Sequence, residues 1–200
     1  MFNMDTNFHF QNMRTSAGTA NIVVRWPTDE EWIAHNKRKR IVQTNIGRGV
    51  HTSVQDTGEA DLKLYESIKL DGAPPLNTDE ATYIIELIAR CEVTSLEVGA
   101  EEAAVQLTLV KGAEAKHAMR IPTIGEMRRL QRLATVMVLP YSRFQIRPNL
   151  EAAAALWDQC GGRAEGYAGP VPNIHKDAAI RAVIQALENE AQPKPDEGNF

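Results

Sequence analysis

Two hundred residues, 43% hydrophobic and 24% charged, are enough for one domain with its own core and have the composition of an ordinary globular protein. The formal charge of −4 argues against a general nucleic-acid binder. No apolar run approaches the roughly 18 residues of a transmembrane helix, and residues 1–20 lack the basic opening and apolar stretch of a secretory signal.

Charge is unevenly spread. Residues 1–54 carry a net +3, residues 55–120 a net −7, and the remainder is balanced. A basic first third and an acidic middle could complement each other between neighbouring copies, or could be two solvated surfaces that never meet. Cys91 and Cys160 are too few for a disulfide framework and read as buried free thiols in a reducing compartment.

Residues 1–19 are polar, with Phe2, Phe8 and Phe10 spaced through them. Alone they bury too little apolar surface to offset their ordering entropy. They read as an N-terminal arm, either loose or with Phe8 and Phe10 docking on a partner. Asn21–Trp26 has strand residues and is stopped by Pro27. Thr28-Asp29-Glu30-Glu31 is a capping box that opens a helix running to Lys37-Arg38-Lys39-Arg40. Those four cations suit the negative end of the helix dipole, and they also form a candidate patch for phosphate or an acidic protein surface. Gly47-Arg48-Gly49 lacks the third glycine and the Lys-Ser/Thr of a nucleotide loop, so a tight turn is the better reading.

Helices are expected over 60–70 and, after Asp71-Gly72-Ala73-Pro74-Pro75, over 79–91. In the second, Ala81, Ile84, Ile85 and Ile88 form a buried stripe and Asn77 or Thr78 caps the start. Residues 92–98, 102–110 and 115–121 alternate as a three-stranded antiparallel meander. A second capping box, Thr123-Ile124-Gly125-Glu126, starts a helix expected to reach Leu139. Its core stripe would be Met127, Leu130, Leu133, Ala134 and Met137, and Arg128, Arg129 and Arg132 would form a basic face.

Tyr141–Pro148 reads as extended, with an Arg143/Arg147 row. Asn149 caps a helix with Leu150, Ala153, Ala154 and Trp157 inward. Arg163–Pro172 reads as a loop in which Tyr167 could anchor a neighbour, and a last helix covers 174–189. Residues 191–200 form a flexible, acidic, proline-bearing tail. The fold class is therefore α+β: one domain over 20–190, in which a small antiparallel sheet, the meander plus an N-terminal strand, packs against five to six helices.

Chemistry-bearing motifs are absent. The histidines His9, His35, His51, His117 and His175 lie scattered, and no metal or cofactor is expected. There is no nucleophile elbow, and Cys160 before two glycines is a helix-end thiol. Glu30-Glu31 and Glu101-Glu102 serve as a cap and a turn.

The pattern strand, Arg-x-Pro-Thr, acidic turn, helix at Val24–Trp32, and Arg-Ile-Pro-Thr-x-Gly-Glu-Met at Arg120–Met127, resembles small morphogenesis proteins of tailed bacteriophages and prophages. It is similar in particular to tail assembly chaperones, and also to virion connector or capsid-associated proteins. The resemblance implies a non-enzymatic protein that binds other phage proteins or copies of itself, in the bacterial host cytoplasm or the assembled virion. It implies neither a small-molecule ligand nor a membrane. The residue-level candidates for partner binding are Phe8, Phe10, Lys37, Arg38, Lys39, Arg40, Arg128, Arg129, Arg132 and Tyr167. Two alternatives stay open. One is an enzyme with a non-local site around Cys160, Glu165, Tyr167 and His175; the other is a nucleic-acid-binding module on the basic helix faces.

Overall fold

The computed structural model describes residues 1–38, 40–46, 49–55, 58–70, 72–133, 135–139, 143–147 and 149–191, with 40–55 and 135–147 described by their backbone alone. The α+β class holds: six helices and three antiparallel sheets are present among these residues.

The chain opens with a hairpin of β1 (Phe8–Thr15) and β2 (Gly18–Val24). This replaces the arm expected over 1–19. Phe8 pairs with Val24 and Phe10 with Ile22, so one face of β1 meets the aliphatic face of β2. Phe2 and Phe8 are buried and Phe10 is half-buried against the same core. The segment orders because β2 supplies the apolar partner it lacks in isolation. Helix α1 (Asp29–Arg38) follows, and its capping box forms as expected. The Thr28 amide donates to Glu31 Oε2 at 2.9 Å, and the Glu31 amide donates to Thr28 Oγ1 at 3.3 Å. The helix stops before Arg40, which instead begins β3 (Arg40–Ile46), where β-branched Ile41 and Val42 follow it.

β3 pairs with β4 (Gly49–Gln55), the ladder running from Arg40↔Gln55 to Ile46↔Gly49. Both belong to a four-stranded sheet, order β4-β3-β9-β8, with β8 (Thr135–Leu139) and β9 (Arg143–Arg147). This sheet corrects the expectation of a single helix from Thr123 to Leu139. That helix, α4 (Ile124–Leu133), ends where Thr135-Val136-Met137-Val138 begins, a stretch whose β-branched side chains favour a strand. Ala134, Gly47, Arg48 and Lys39 lie outside the described residues, as do 192–200 of the expected tail and the side chains of Arg40, Arg143 and Arg147.

Helices α2 (Gly58–Ile68) and α3 (Thr78–Ala89) pack on each other, and α1 packs on α2. Asn77 caps α3 through a reciprocal bond with Glu80, and the stripe Ala81, Ile84, Ile85 and Ile88 is buried as read from its spacing. The meander forms from β5 (Cys91–Val98), β6 (Glu102–Leu109) and β7 (Glu114–Arg120), with a 3-10 turn at Val110–Gly112. It gains a fourth strand, β10 (Arg163–Glu165), from the stretch read as loop, giving the order β10-β7-β6-β5. Gly166 explains this change. Its φ is 94°, and a Cβ there would lie 2.4 Å from the Glu114 carbonyl oxygen, so only glycine lets the chain leave β10 so close to β7.

Helices α5 (Leu150–Gln159) and α6 (Asn173–Glu190) complete the body. α6 lies on β5 and β6, and α5 lies on α6. Leu107, Leu109, Met119, Ile180 and Val183 join the aromatic residues of the hairpin in one core. No helix among the described residues is long and apolar enough to cross a membrane.

Candidate functional site

Two places combine chemistry-bearing side chains with a specific geometry: a buried polar chain beneath the N-terminal hairpin, and an open groove between α4 and α5.

The buried chain is built from three elements. β7 carries His117 inward, the turn after β10 carries Tyr167, and the first turn of α6 carries His175. Tyr167 Oη sits 2.8 Å from His117 Nε2 and 3.2 Å from His175 Nδ1. Both histidines are fully buried. Their outer nitrogens, His117 Nδ1 and His175 Nε2, have no protein partner. A phenol has one proton, so it donates to one imidazole and accepts from the other. With both rings neutral, one outer nitrogen therefore carries hydrogen and the other a lone pair. Exchange of the two tautomers would pass a proton from one end of the chain to the other.

Burial sets the charge state. Desolvation lowers His117 to about 4, and lowers His175 to about 3 with help from the His117 charge. Desolvation also raises Tyr167, and it pushes the Cys91 thiol up to about 12. The chain is neutral at neutral pH.

Phe2 closes it from above. Its amide donates to the Gly166 carbonyl at 2.6 Å, and its carbonyl accepts from the Ala168 amide at 2.8 Å. Its ring stands edge-on to Trp26 at 4.9 Å and to His175 at 5.1 Å between centroids. Tyr167, expected as an exposed anchor for a neighbour, is thus fastened inside its own fold by two hydrogen bonds and a packed ring. Phe8 is spent in the same way, packed on Trp26 at 5.9 Å.

The remaining parts of the suggested enzyme site do not converge here. Glu165 lines a shallow trough of about 410 Å³ on the outer face of the sheet, floored by Ala104 and Ala118 and crossed by the Arg163–Glu102 ion pair at 2.6 Å. Cys160 is buried at the end of α5, where burial raises its thiol. A second polar cluster joins His35, Asp61 and Thr82. His35 Nε2 lies 2.5 Å from Asp61 Oδ1, and the Thr82 hydroxyl donates to Asp61 Oδ2 at 3.0 Å. The hydroxyl bonds the carboxylate and not the imidazole, the wrong order for activating a nucleophile. The cluster fastens α1, α2 and α3 to one another. Among the described residues no three metal-ligating side chains come together.

The groove is different in kind. Arg120 builds it: its guanidinium is clamped by Glu126 at 2.6 and 2.9 Å and donates to the Gln159 carbonyl at 3.3 Å. This sets the start of α4 beside the end of α5 and runs the two helices antiparallel. The Arg120 guanidinium and the Thr123 amide and hydroxyl hold the Glu126 carboxyl down at about 2. At the far end Gln131 ties α4 to Glu188 of α6 at 2.5 Å. The facing stripes are Glu126, Arg129, Leu130 and Leu133 on α4, and Ala152, Ala155, Leu156 and Gln159 on α5. Each follows the i, i+3, i+4, i+7 spacing of one helix face. The space between them is about 270 Å³.

Leu133, expected in the core, is 48% exposed at its rim, and Ile124 on the same helix is 74% exposed. Arg25, Arg90, Arg120, Arg163 and Arg181 all pair with carboxylates. Arg128, Arg129 and Arg132 are exposed and make no ion pair among the described residues; Arg128 bonds only Gln131, at 3.1 Å. Of the other basic candidates, Lys37 reaches Glu151 at the start of α5, at 3.1 Å, beside Ala152 of the groove, and Arg38 is exposed. The structure thus brings Lys37 and Arg129 to α5, the first on Glu151 and the second on the groove. The basic run was legible in sequence; the groove needed the α4–α5 register, which no local motif encodes.

No family model matches this chain, and no curated protein or solved structure is similar to it.

Proposed function

We propose that this chain is a non-enzymatic assembly protein of the tailed-phage type. In this reading it works through protein–protein contacts, as a tail assembly chaperone or as a virion component, in the bacterial host cytoplasm or the particle. The observation that carries the contact role is the α4–α5 groove, an open channel of leucines and alanines on whose rim Leu133 is exposed and Arg129 makes no ion pair among the described residues. The phage context comes from the two Arg-x-Pro-Thr helix starts and is carried by them alone. Both capping boxes form, which supports the structural part of that pattern.

The test is purification of the full chain from a phage-producing host, followed by native mass measurement of the free and particle fractions. A virion component appears in the particles in fixed ratio, whereas a chaperone appears outside them bound to another phage chain. A chain found alone in both fractions overturns the proposal.

A second reading, an enzyme, draws on the His117–Tyr167–His175 chain. It requires Phe2 to move aside so that substrate can reach His175. Labelling of His175 by diethyl pyrocarbonate in the native protein would support it, and full protection under conditions where free histidine reacts would remove it.

A further inference from the structure

The groove on α4 and α5 has a counterpart on the same chain. The outer face of α3 carries Asp79, Tyr83 and Glu86 at i, i+4 and i+7, all exposed, with Tyr83 at 53%. Asp79 and Glu86 make no ion pair among the described residues. An aromatic ring flanked by two unpaired carboxylates on one helical stripe is the chemical complement of a groove with an exposed Leu133 and an unpaired Arg129 on its lining. The acidic stripe lies within residues 55–120, net −7. The two surfaces belong to different helix pairs, α3 packed on α2 and α4 packed on α5.

We propose that this chain self-associates head to tail, with α3 of one copy seated in the α4–α5 groove of the next, Tyr83 against Leu133 and the acidic stripe of Asp79 and Glu86 against Arg129. The inference rests on the assembly reading above and gives it a first partner, a second copy. Three observations set its character. A helix laid between two helices uses the i, i+4, i+7 anchors of groove recognition. The faces differ, so the contact is heterologous and each copy keeps one free donor face and one free acceptor face, a geometry that makes rings or filaments. The contact is one helix wide, which places it among the weaker interfaces, seen as mass that rises with concentration. Glu126 does not oppose the incoming carboxylates, because Arg120 and the Thr123 cap already hold it.

The experiment is light scattering on the full chain over a concentration series up to several hundred micromolar, with Tyr83→Asp and Leu133→Asp as variants. Both positions are exposed, and circular dichroism with an unfolding midpoint verifies that each variant is folded. The wild type should gain mass with concentration, and each variant alone should remain a monomer. An equimolar mixture of the two variants should form a 1:1 dimer that grows no further, because each brings the face that the other has lost. Arg129→Glu should weaken wild-type association at least tenfold, and Arg129→Glu mixed with Glu86→Arg should recover part of it.

A wild type that stays monomeric throughout overturns the proposal. So does growth that neither variant affects, or a mixture that stays monomeric. Salt-sensitive retention of DNA, lost when Arg128, Arg129 and Arg132 are all replaced by alanine and without self-association, would assign the arginines to nucleic acid and also overturn it. A monomer that still co-purifies with other phage chains ends this inference and leaves the assembly reading standing. Head-to-tail growth in a chain with no phage partner and no place in a particle does the reverse.

Discussion

The His117–Tyr167–His175 chain and the α4–α5 groove treat polar groups in opposite ways. In the first, neutral rings are sealed among aromatic residues and their ionisation is suppressed. In the second, Leu133 is left in water and Arg129 is left without an ion pair among the described residues. The comparison teaches where each region's stability and availability lie. Side chains at the buried chain hold the fold and are spent on it, whereas side chains at the groove hold little of the fold and remain free to bind. A residue's identity does not sort them: Phe8 and Tyr167 resemble exposed anchors in the sequence, and Leu133 resembles core.

The largest test of that contrast removes the same kind of mass from each side. Trp157 lies buried edge-on to His117, 5.8 Å between ring centroids, and Trp157→Ala should cost about 3–5 kcal/mol in urea unfolding. A cost near zero would mean that the buried side is loosely packed.

Acid should act next in size, and first on the buried side. The folded-state value of His117 lies below its ordinary 6.5, so the unfolded chain binds more protons and stability rises with pH. That contribution is whole above pH 6.5 and is lost as pH falls towards about 4, by about 3 kcal/mol. Urea midpoints between pH 7 and pH 4 should show the fall, to which His175 adds its own, and His117→Gln should make it shallower without removing it. A smaller change probes the bridge itself. Tyr167→Phe keeps the ring but leaves both facing histidine nitrogens without the hydroxyl, which should cost about 1–3 kcal/mol. Smallest of all, Leu133→Ala at the groove rim should stay within about 0.5 kcal/mol in the monomer. A substantially larger loss would place Leu133 in the core after all and remove the contrast.

Much of the scaffold was legible in sequence because its signals are local. Thr28 with Glu31, Asn77 with Glu80 and Thr123 with Glu126 mark helix starts within four residues. The stripe Ala81–Ile88 and the meander follow periods of 3.6 and 2. What escaped depends on distant partners. Phe8 orders only against Val24 and Trp26, and β10 exists only because Gly166 lets the chain close on Glu114. α4 and β8 meet at residue 134, where two apolar periods are almost indistinguishable over four residues. The buried histidines lie 58 positions apart in β7 and α6 and carry no spacing that could announce them.

The sheet of β3, β4, β8 and β9 sets an order of events during synthesis. Ile41 pairs with Ile146, and the hairpin that ends at Gln55 must wait until Arg143–Arg147 has emerged before β3 gains its second neighbour. At roughly 5–20 residues per second, that interval is about 5–20 s, during which one edge of β3 has open hydrogen-bonding groups. Those seconds on the ribosome are when an unintended strand could be added.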